Sequence, residues 1–208
     1  MKIVTAANLK FKPFLEVLES QCKKLGYTLE IYDLGDLGYG IPSPVEHENF
    51  QQHGWYHTMH ENWRTKALHK PDIIAQALED EPIVYLDADA FPVTQFDEVW
   101  DQEFDIGVTL RSEHTPILGP INAGVLFFRP SAREAVQEWQ QLTQEVGNDQ
   151  RALCHMLQDG KHKFHGFPTR VYNYYYFPDV PGPEVKIFHF KEDPLIRTHF
   201  NRVVDSLG

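Results

Sequence analysis

The first 34 residues carry the pattern that most constrains the fold of this chain. Residues 3–6 form an apolar run typical of a strand, apolar residues recur at helical spacing over residues 13–25, and residues 28–34 alternate as a strand does. Pro13 suits the first turn of a helix, and Gly26 suits its end. Strand, helix and strand in this order predict a βαβ unit, and therefore an α/β fold with a parallel sheet.

Length, charge and cysteine content narrow the class of protein. The 208 residues fit one domain, residues 1–208. A net charge of −11 disfavours nucleic acid or an anionic membrane as the main partner, because both require a basic surface. Two cysteines give neither a disulfide framework nor a cysteine metal site, and Cys22 lies on the apolar side of the first predicted helix. No signal peptide or integral membrane segment is evident, so the expected location is cytoplasmic.

A short apolar strand, residues 83–86, leads directly into Asp87 and Asp89. Side chains two residues apart on an extended chain point to the same side, so the two carboxylates repel each other unless a cation lies between them. Hard oxygen ligands of this kind suit Mg²⁺ or Mn²⁺, usually with a phosphate completing the coordination. A strand that simply ends in a polar turn is the alternative, since Asp-x-Asp triplets also arise by chance.

Three later segments add candidate residues. Residues 121–130 contain a central strand entered through Asn122-Ala123-Gly124, where small residues allow a ligand to approach the backbone. Residues 186–191 read as a last strand that carries one imidazole, His189, and one ammonium, Lys191. Asp149 opens a predicted helix and could also serve as its N-cap. The tyrosines of residues 171–177 fit either a wall that stacks on a sugar or a strand packed on one face.

Residues 35–61 show no clean period and are rich in Gly, Pro, His and aromatic residues. A stretch of this length without periodicity is usually a functional loop or lid. His57 and His60 have the spacing of a zinc pair, but no acid or cysteine stands near them at the spacing that zinc requires. Exposed histidines and stacking aromatics are therefore the preferred interpretation of this segment.

Taken in order, these motifs resemble those of the GT-A-type glycosyltransferases, the glycogenin- and galactosyltransferase-like enzymes that use nucleotide-diphosphate sugars. Asp87-Ala88-Asp89 is similar to their Asp-x-Asp motif, and Asn122-Ala123-Gly124-Val125-Leu126 to their Asn-Ser/Ala-Gly-Val strand. His189 falls where the family places a third metal ligand, although the glycine that many retaining members carry three residues later is Glu192 here. The resemblance extends from residue 3 to about residue 191 and implies a single-domain, Rossmann-type mixed sheet flanked by helices.

The resemblance implies a metal-dependent transferase that moves a hexose, with retention of configuration, from a nucleotide-diphosphate sugar to an acceptor. UDP-sugar is the expected donor and Mn²⁺ or Mg²⁺ the expected ion; the acceptor, whether carbohydrate, lipid or protein, is not indicated. The implied metal ligands are Asp87, Asp89 and His189. The implied residues near the reacting sugar are Asn122, Asp149 and Gln150, and the implied donor-binding residues are Thr5, Ala6, Asn8, Lys66, Asp87, Ala88, Asp89 and Lys191.

Two other functions are compatible with part of the pattern. Phosphohydrolases with an Asp-x-Asp nucleophile usually have Thr or Val two residues after the second Asp, where this chain has Phe91, and they need a later acidic pair that residues 147–149 do not supply. A non-catalytic sugar-nucleotide-binding protein of the same fold is the second alternative. The intact set of Asp87, Asp89 and His189 argues against a loss of turnover.

Overall fold

The computed structural model describes residues 1–44, 69–115, 119–175 and 182–190. The strands are β1 (Lys2–Ala7), β2 (Thr28–Asp33), β3 (Ile41–Pro42), β4 (Ile83–Leu86), β5 (Ala90–Pro92), β6 (Ile106–Thr115), β7 (Gly119–Phe128), β8 (Phe164–Pro168) and β9 (Ile187–His189). The helices are α1 (Lys12–Leu25), α2 (His69–Ala77), α3 (Arg133–Val146), α4 (Asp149–Asp159) and α5 (Thr169–Tyr172), with 3₁₀ turns at Leu9–Phe11, Asp97–Asp101 and Pro130–Ala132.

Seven of these strands form one mixed sheet in the order β3-β2-β1-β4-β7-β6-β8. Strand β1 pairs in parallel with both β2 and β4, whereas β7 is antiparallel to β4 and to β6. The predicted βαβ unit is confirmed: β1 and β2 pair from Lys2 opposite Thr28 to Ala7 opposite Asp33, with α1 between them. Gly26 ends α1 in the left-handed conformation, at φ 77°. The expected mixed sheet flanked by helices is therefore the observed architecture.

Helices cover both faces of the sheet, which explains why β4 is apolar at every position. Val84 and Leu86 pack in the cluster that contains α1, while Ile83 and Tyr85 pack in the cluster that contains α2, α3 and α4. Alternate residues of a strand point to opposite faces, so a strand covered on both sides needs an unbroken apolar run. Cys22 lies in the α1 cluster as expected, and burial, with a smaller effect of Glu19, raises the pKa of its thiol to about 12.

A second, two-stranded sheet lies beside the main one. Strands β5 and β9 are antiparallel, with Ala90 opposite His189 and Pro92 opposite Ile187. The sequence did not predict β5 or β8, because short strands carry too few residues to show a period. Strand β9 is shorter than the predicted strand over residues 186–191, and Lys191 itself lies outside the described residues.

Two further sequence predictions require correction. The predicted loop over residues 35–61 contains the short strand β3, which pairs with β2, and its residues 45–61 lie outside the described part of the chain. The described residues of the tyrosine-rich segment do not form a strand: α5 occupies its start, and Tyr174 makes one isolated bridge to Phe188. None of the helices in the described ranges is long and apolar enough to cross a membrane.

The Tyr27 hydroxyl joins the start of β2 to the segment after β5. It accepts a hydrogen bond from the buried backbone N–H of Phe96 at 2.9 Å and donates to Asp97 Oδ2 at 3.4 Å. We expect Tyr27→Phe to lower the free energy of unfolding by about 1–3 kcal/mol, because the Phe96 N–H is left buried without its acceptor. Urea unfolding measures this loss.

Tyr172→Phe is the matched control, since it removes a hydroxyl that donates to Glu98 at an exposed position. Its effect should stay within about 0.5 kcal/mol, as is usual for surface substitutions. Equal losses in the two variants would contradict the role given to Tyr27.

Candidate functional site

Two separated segments of the chain, the turn after β4 and strand β9, bring Asp87, Asp89 and His189 together. Strand β4 ends at Leu86, and a turn closed by the bond from the Ala90 N–H to the Asp87 carbonyl at 2.8 Å leads into β5. Because β9 pairs with β5 in a register that sets His189 opposite Ala90, the imidazole lies beside the turn. His189 Nε2 is 3.3 Å from Asp89 Oδ1 and 3.9 Å from Asp87 Oδ2.

The three side chains have the donor set and the spacing of a divalent cation site. One ligand atom from each lies within 4.8 Å of the others. Asp89 and His189 are each 4% exposed, while the Asp87 side chain is 32% exposed and gives the site its open side. Two carboxylates and an imidazole suit Mn²⁺ and also accept Mg²⁺. The residues therefore fit the ion that the sequence motif implies.

Gly124 provides the space that the His189 ring occupies. A Cβ atom at this position would lie 2.3 Å from His189 Cε1 and 2.7 Å from Asp87 Oδ2, distances far inside contact. The Gly124 carbonyl also accepts from the Asp87 N–H at 2.8 Å. Strand β7 thus touches two of the three candidate ligands, which requires a residue without a side chain at this point.

Lys70, in the first turn of α2, lies between two acids of the site. Its Nζ is 3.0 Å from Asp87 Oδ1 and 3.3 Å from Asp149 Oδ2, and it donates to the Ala123 carbonyl at 2.9 Å. Burial lowers the pKa of the Lys70 ammonium, but the two carboxylates outweigh it and hold that pKa above its usual value. The ammonium lies 5.1 Å from the centre of the Tyr85 ring, a cation–π contact. Lys70 is therefore charged.

The sequence did not single out Lys70 as a site residue; it indicated Lys66, which lies outside the described residues, as Lys191 does. The signal in the sequence that could have indicated Lys70 is its position in the first turn of the predicted helix. Lys70 precedes Pro71 at the start of α2, where a long side chain can reach back toward the end of β4. Only the packing of α2 against the sheet shows which lysine reaches the acids.

Asp149 and Gln150 open α4 next to Lys70. The N-cap of this helix is Asn148, whose Oδ1 accepts from the Arg151 N–H at 2.8 Å, so the alternative reading of Asp149 as the cap is wrong. The Asp149 carboxylate instead pairs with Lys70. Gln150 Oε1 accepts from the Ala123 N–H at 3.2 Å, which holds the start of α4 against β7.

Asn122 is buried on β7, and its Oδ1 accepts from the Gly124 N–H at 2.9 Å. Its side-chain oxygen is thus hydrogen-bonded to its own strand.

The far side of the His189 ring, at Nδ1, lies 2.8 Å from Asn173 Oδ1. Asn173 is a further site residue that sequence reasoning missed, because an asparagine just after a short helix carries no distinguishing pattern.

The candidate nucleoside residues lie at the end of β1. Thr5 and Asn8 have side-chain oxygens that are buried without a hydrogen-bond partner among the described residues, and Ala6 is half-buried. Strand β1 is parallel to β4, so its carboxyl end lies on the same edge of the sheet as Asp87. Ala88 is buried in the core on the α1 side. The structure thus gathers these positions at one edge.

Comparison with known proteins supports the fold. Neither a protein-family model nor a curated protein matches this chain. Among solved structures, it is similar to a glycosyltransferase involved in the glycosylation of the major capsid of PBCV-1, at 16% identity and TM-score 0.66, covering 96% of this chain and 98% of that one. It is also similar to the galactosyltransferase LgtC in complex with donor and acceptor sugar analogs, at 16% identity and TM-score 0.58, covering 99% and 96%.

A third similar structure is the glycosyltransferase GlyE of Streptococcus pneumoniae TIGR4, at 13% identity and TM-score 0.58. The match covers 99% of this chain but only 61% of GlyE. At these identities the comparisons establish the architecture: the chain has a GT-A-like glycosyltransferase fold, as the sequence motifs indicated.

Lys70→Met tests the electrostatic arrangement of the site. We expect it to lower the free energy of unfolding by about 3 kcal/mol, since it leaves the Asp149 carboxylate buried beside Asp87 without a cation. The double variant Lys70→Met/Asp149→Asn should recover part of this loss, because it removes the unpaired charge. Urea unfolding without added divalent ions gives the losses of the two single variants, Lys70→Met and Asp149→Asn, and of the double variant. Additive losses in the double variant would contradict the coupling.

Proposed function

We propose that this chain is a metal-dependent hexosyltransferase that uses a nucleotide-diphosphate sugar, with UDP as the expected nucleotide. The observation that carries the proposal is the convergence of Asp87, Asp89 and His189 at one edge of a GT-A-like sheet. The solved structures compared above are glycosyltransferases, and one of them holds donor and acceptor sugar analogs. A cluster of two acids and an imidazole can hold the divalent cation through which a diphosphate would bind.

In the proposed reaction, the bond between the anomeric carbon and the diphosphate oxygen breaks, and a bond from that carbon to an acceptor hydroxyl oxygen forms. The hydroxyl proton leaves to solvent or to a nearby base, and the nucleoside diphosphate leaves with the bonding electron pair. The leaving diphosphate gains negative charge, so positive charge placed beside it lowers the barrier. A divalent cation held by Asp87, Asp89 and His189 supplies Lewis-acid neutralisation of that charge.

The protein's own residues contribute charge and position. Lys70 is a charged ammonium beside Asp87, so it adds local positive charge in a chain whose net charge is −11. Asp149, whose carboxylate pairs with Lys70, and Gln150 open α4, and both are proposed to contact the sugar. Asn122 lies at the same edge. Because its side-chain oxygen accepts from the Gly124 N–H, it would offer its amide nitrogen as a donor to the sugar.

The nucleoside is proposed to lie at the end of β1. Thr5 and Asn8 offer buried side-chain oxygens that have no hydrogen-bond partner among the described residues, and a base or ribose can supply the missing donors. Ala6, between them in the sequence, is half-buried, and its small side chain would leave room for the nucleoside. Ala88, between the two acids, would contribute through its backbone. Lys66 and Lys191 remain proposed phosphate contacts on the strength of the sequence resemblance.

A thermal-shift panel tests the donor. UDP-glucose, UDP-galactose and GDP-mannose are compared in the presence of Mn²⁺, Mg²⁺ or EDTA. We expect a UDP-sugar to raise the melting temperature only with a divalent cation, because the cation would join the diphosphate to the acids. A ligand present at 100 times its Kd stabilises the native state by about 2.7 kcal/mol. A panel without any shift would contradict nucleotide-sugar binding.

Asp89→Asn gives the matched mutational test. Asp89 is buried 3.3 Å from His189, so losing its charge should remove the cation-dependent shift and lower UDP release by about 100-fold or more, since Lewis-acid stabilisation is worth several kcal/mol. Asp101→Asn makes the same change at an exposed acid and should behave as the wild type. Full activity in Asp89→Asn would refute the assignment.

The same assays separate the alternatives. Binding of a UDP-sugar without UDP release would indicate a non-catalytic nucleotide-sugar-binding protein. Release of phosphate from para-nitrophenyl phosphate would indicate a phosphohydrolase that uses an Asp-x-Asp nucleophile. Once a donor that supports turnover is found, a simple alcohol serves as acceptor. Proton NMR of the product then gives its anomeric configuration and tests the expected retention.

A further inference from the structure

The proposed cation site requires one particular tautomer of His189, and this inference rests on the proposed function. The ring nitrogen that faces the acids is Nε2, at 3.3 Å from Asp89 Oδ1 and 3.9 Å from Asp87 Oδ2. A neutral imidazole binds a metal through the nitrogen that has no hydrogen. The hydrogen must therefore be on Nδ1, on the far side of the ring, where a group must accept it.

A line of buried hydrogen bonds leads away from Nδ1. His189 Nδ1 lies 2.8 Å from Asn173 Oδ1, and Asn173 Nδ2 donates to Thr109 Oγ1 at 2.7 Å. Thr109 Oγ1 in turn donates to the backbone carbonyl of Asn122 at 3.0 Å. Asn173 and Thr109 are both 0% exposed, so bulk water does not compete for these groups.

The far end of this line sets the direction of every bond in it. A backbone carbonyl can only accept, so the single hydrogen of the Thr109 hydroxyl is used on Asn122. The hydroxyl oxygen can then only accept a hydrogen bond from Asn173. The donor on Asn173 must therefore be its amide nitrogen. The Asn173 amide oxygen consequently faces the ring, and an amide oxygen accepts only from a nitrogen that carries hydrogen.

We propose that Asn173 is a positioning residue that holds His189 as the tautomer with its hydrogen on Nδ1, and that Thr109 sets the orientation of the Asn173 amide. Nε2 is thereby left with a lone pair facing Asp87 and Asp89. Partners of this kind behind a metal-binding histidine typically change metal affinity 10- to 100-fold when they are removed. The backbone of β7 thus sets the chemical state of a side chain on β9.

The test measures Mn²⁺ affinity, by electron paramagnetic resonance of the free ion, for the full chain and four variants. Asn173→Leu keeps the volume but has no acceptor, and it should bind Mn²⁺ about 10- to 100-fold more weakly. Asn173→Asp restores an acceptor for Nδ1–H and should bind at least as tightly as the wild type. Thr109→Val removes the group that orients the amide and should weaken binding less than Asn173→Leu. Tyr27→Phe, which loses a buried hydrogen bond to Phe96, should keep wild-type affinity.

The tautomer is read separately from the affinity. In the protein without divalent ions, at a pH at which the imidazole is neutral, the ¹⁵N shifts of the imidazole nitrogens distinguish a protonated from a bare nitrogen, and His189→Gln identifies the relevant signals. We expect a protonated Nδ1 in the wild type and in Asn173→Asp, and a mixture of tautomers in Asn173→Leu and Thr109→Val. A merely structural role for Asn173 would leave the tautomer unchanged.

The outcomes separate this inference from the proposed function. If the wild type binds Mn²⁺ and Asn173→Leu binds it equally well, or if the wild-type Nδ1 is bare, the positioning role is overturned while the cation site stands. If the wild type binds no divalent cation, the proposed metal-dependent function falls, and the inference falls with it.

Discussion

The pairing of β5 with β9 is the interaction on which the candidate site depends. It is only three residues long, yet its register sets His189 beside the turn that holds Asp87 and Asp89. Apolar packing supports it: Phe91, Phe188 and Phe190 are fully buried, with ring centroids 4.8–5.9 Å apart. The bond from the Phe190 N–H to the Asp89 carbonyl at 2.9 Å adds a direct link. An isolated pair of short strands is marginally stable at best, so the burial of these three rings helps to hold β5 and β9 together.

Charge balance is the second constraint at this edge of the sheet. Asp87, Asp89 and Asp149 lie close together in a chain that is already acidic, and Lys70 is the cation that the described residues place among them. Lys70 pairs with Asp87 and Asp149, whereas Asp89 faces His189. The proposed divalent ion at Asp87, Asp89 and His189 would neutralise the remaining acidic charge.

The sequence predicted those features that arise from local patterns. The βαβ unit follows from periodicity over 34 residues, and the carboxylate pair follows from a strand that ends in an Asp-x-Asp triplet. The use of Lys70, the capping of α4 by Asn148 and the contact of Asn173 with His189 were not predictable in the same way. Each depends on which of several similar polar residues the packing of distant segments brings within a few ångströms, and no local period encodes that choice.

The His189 side chain on β9 restricts which residues β7 can carry at position 124. The space that a Cβ would fill is taken by the imidazole of His189, not left free for a substrate. The glycine in this motif therefore makes room for the histidine ring. In a related chain with a smaller residue in place of the histidine, the glycine position would have more room for a side chain. The two positions are therefore expected to vary together among related chains.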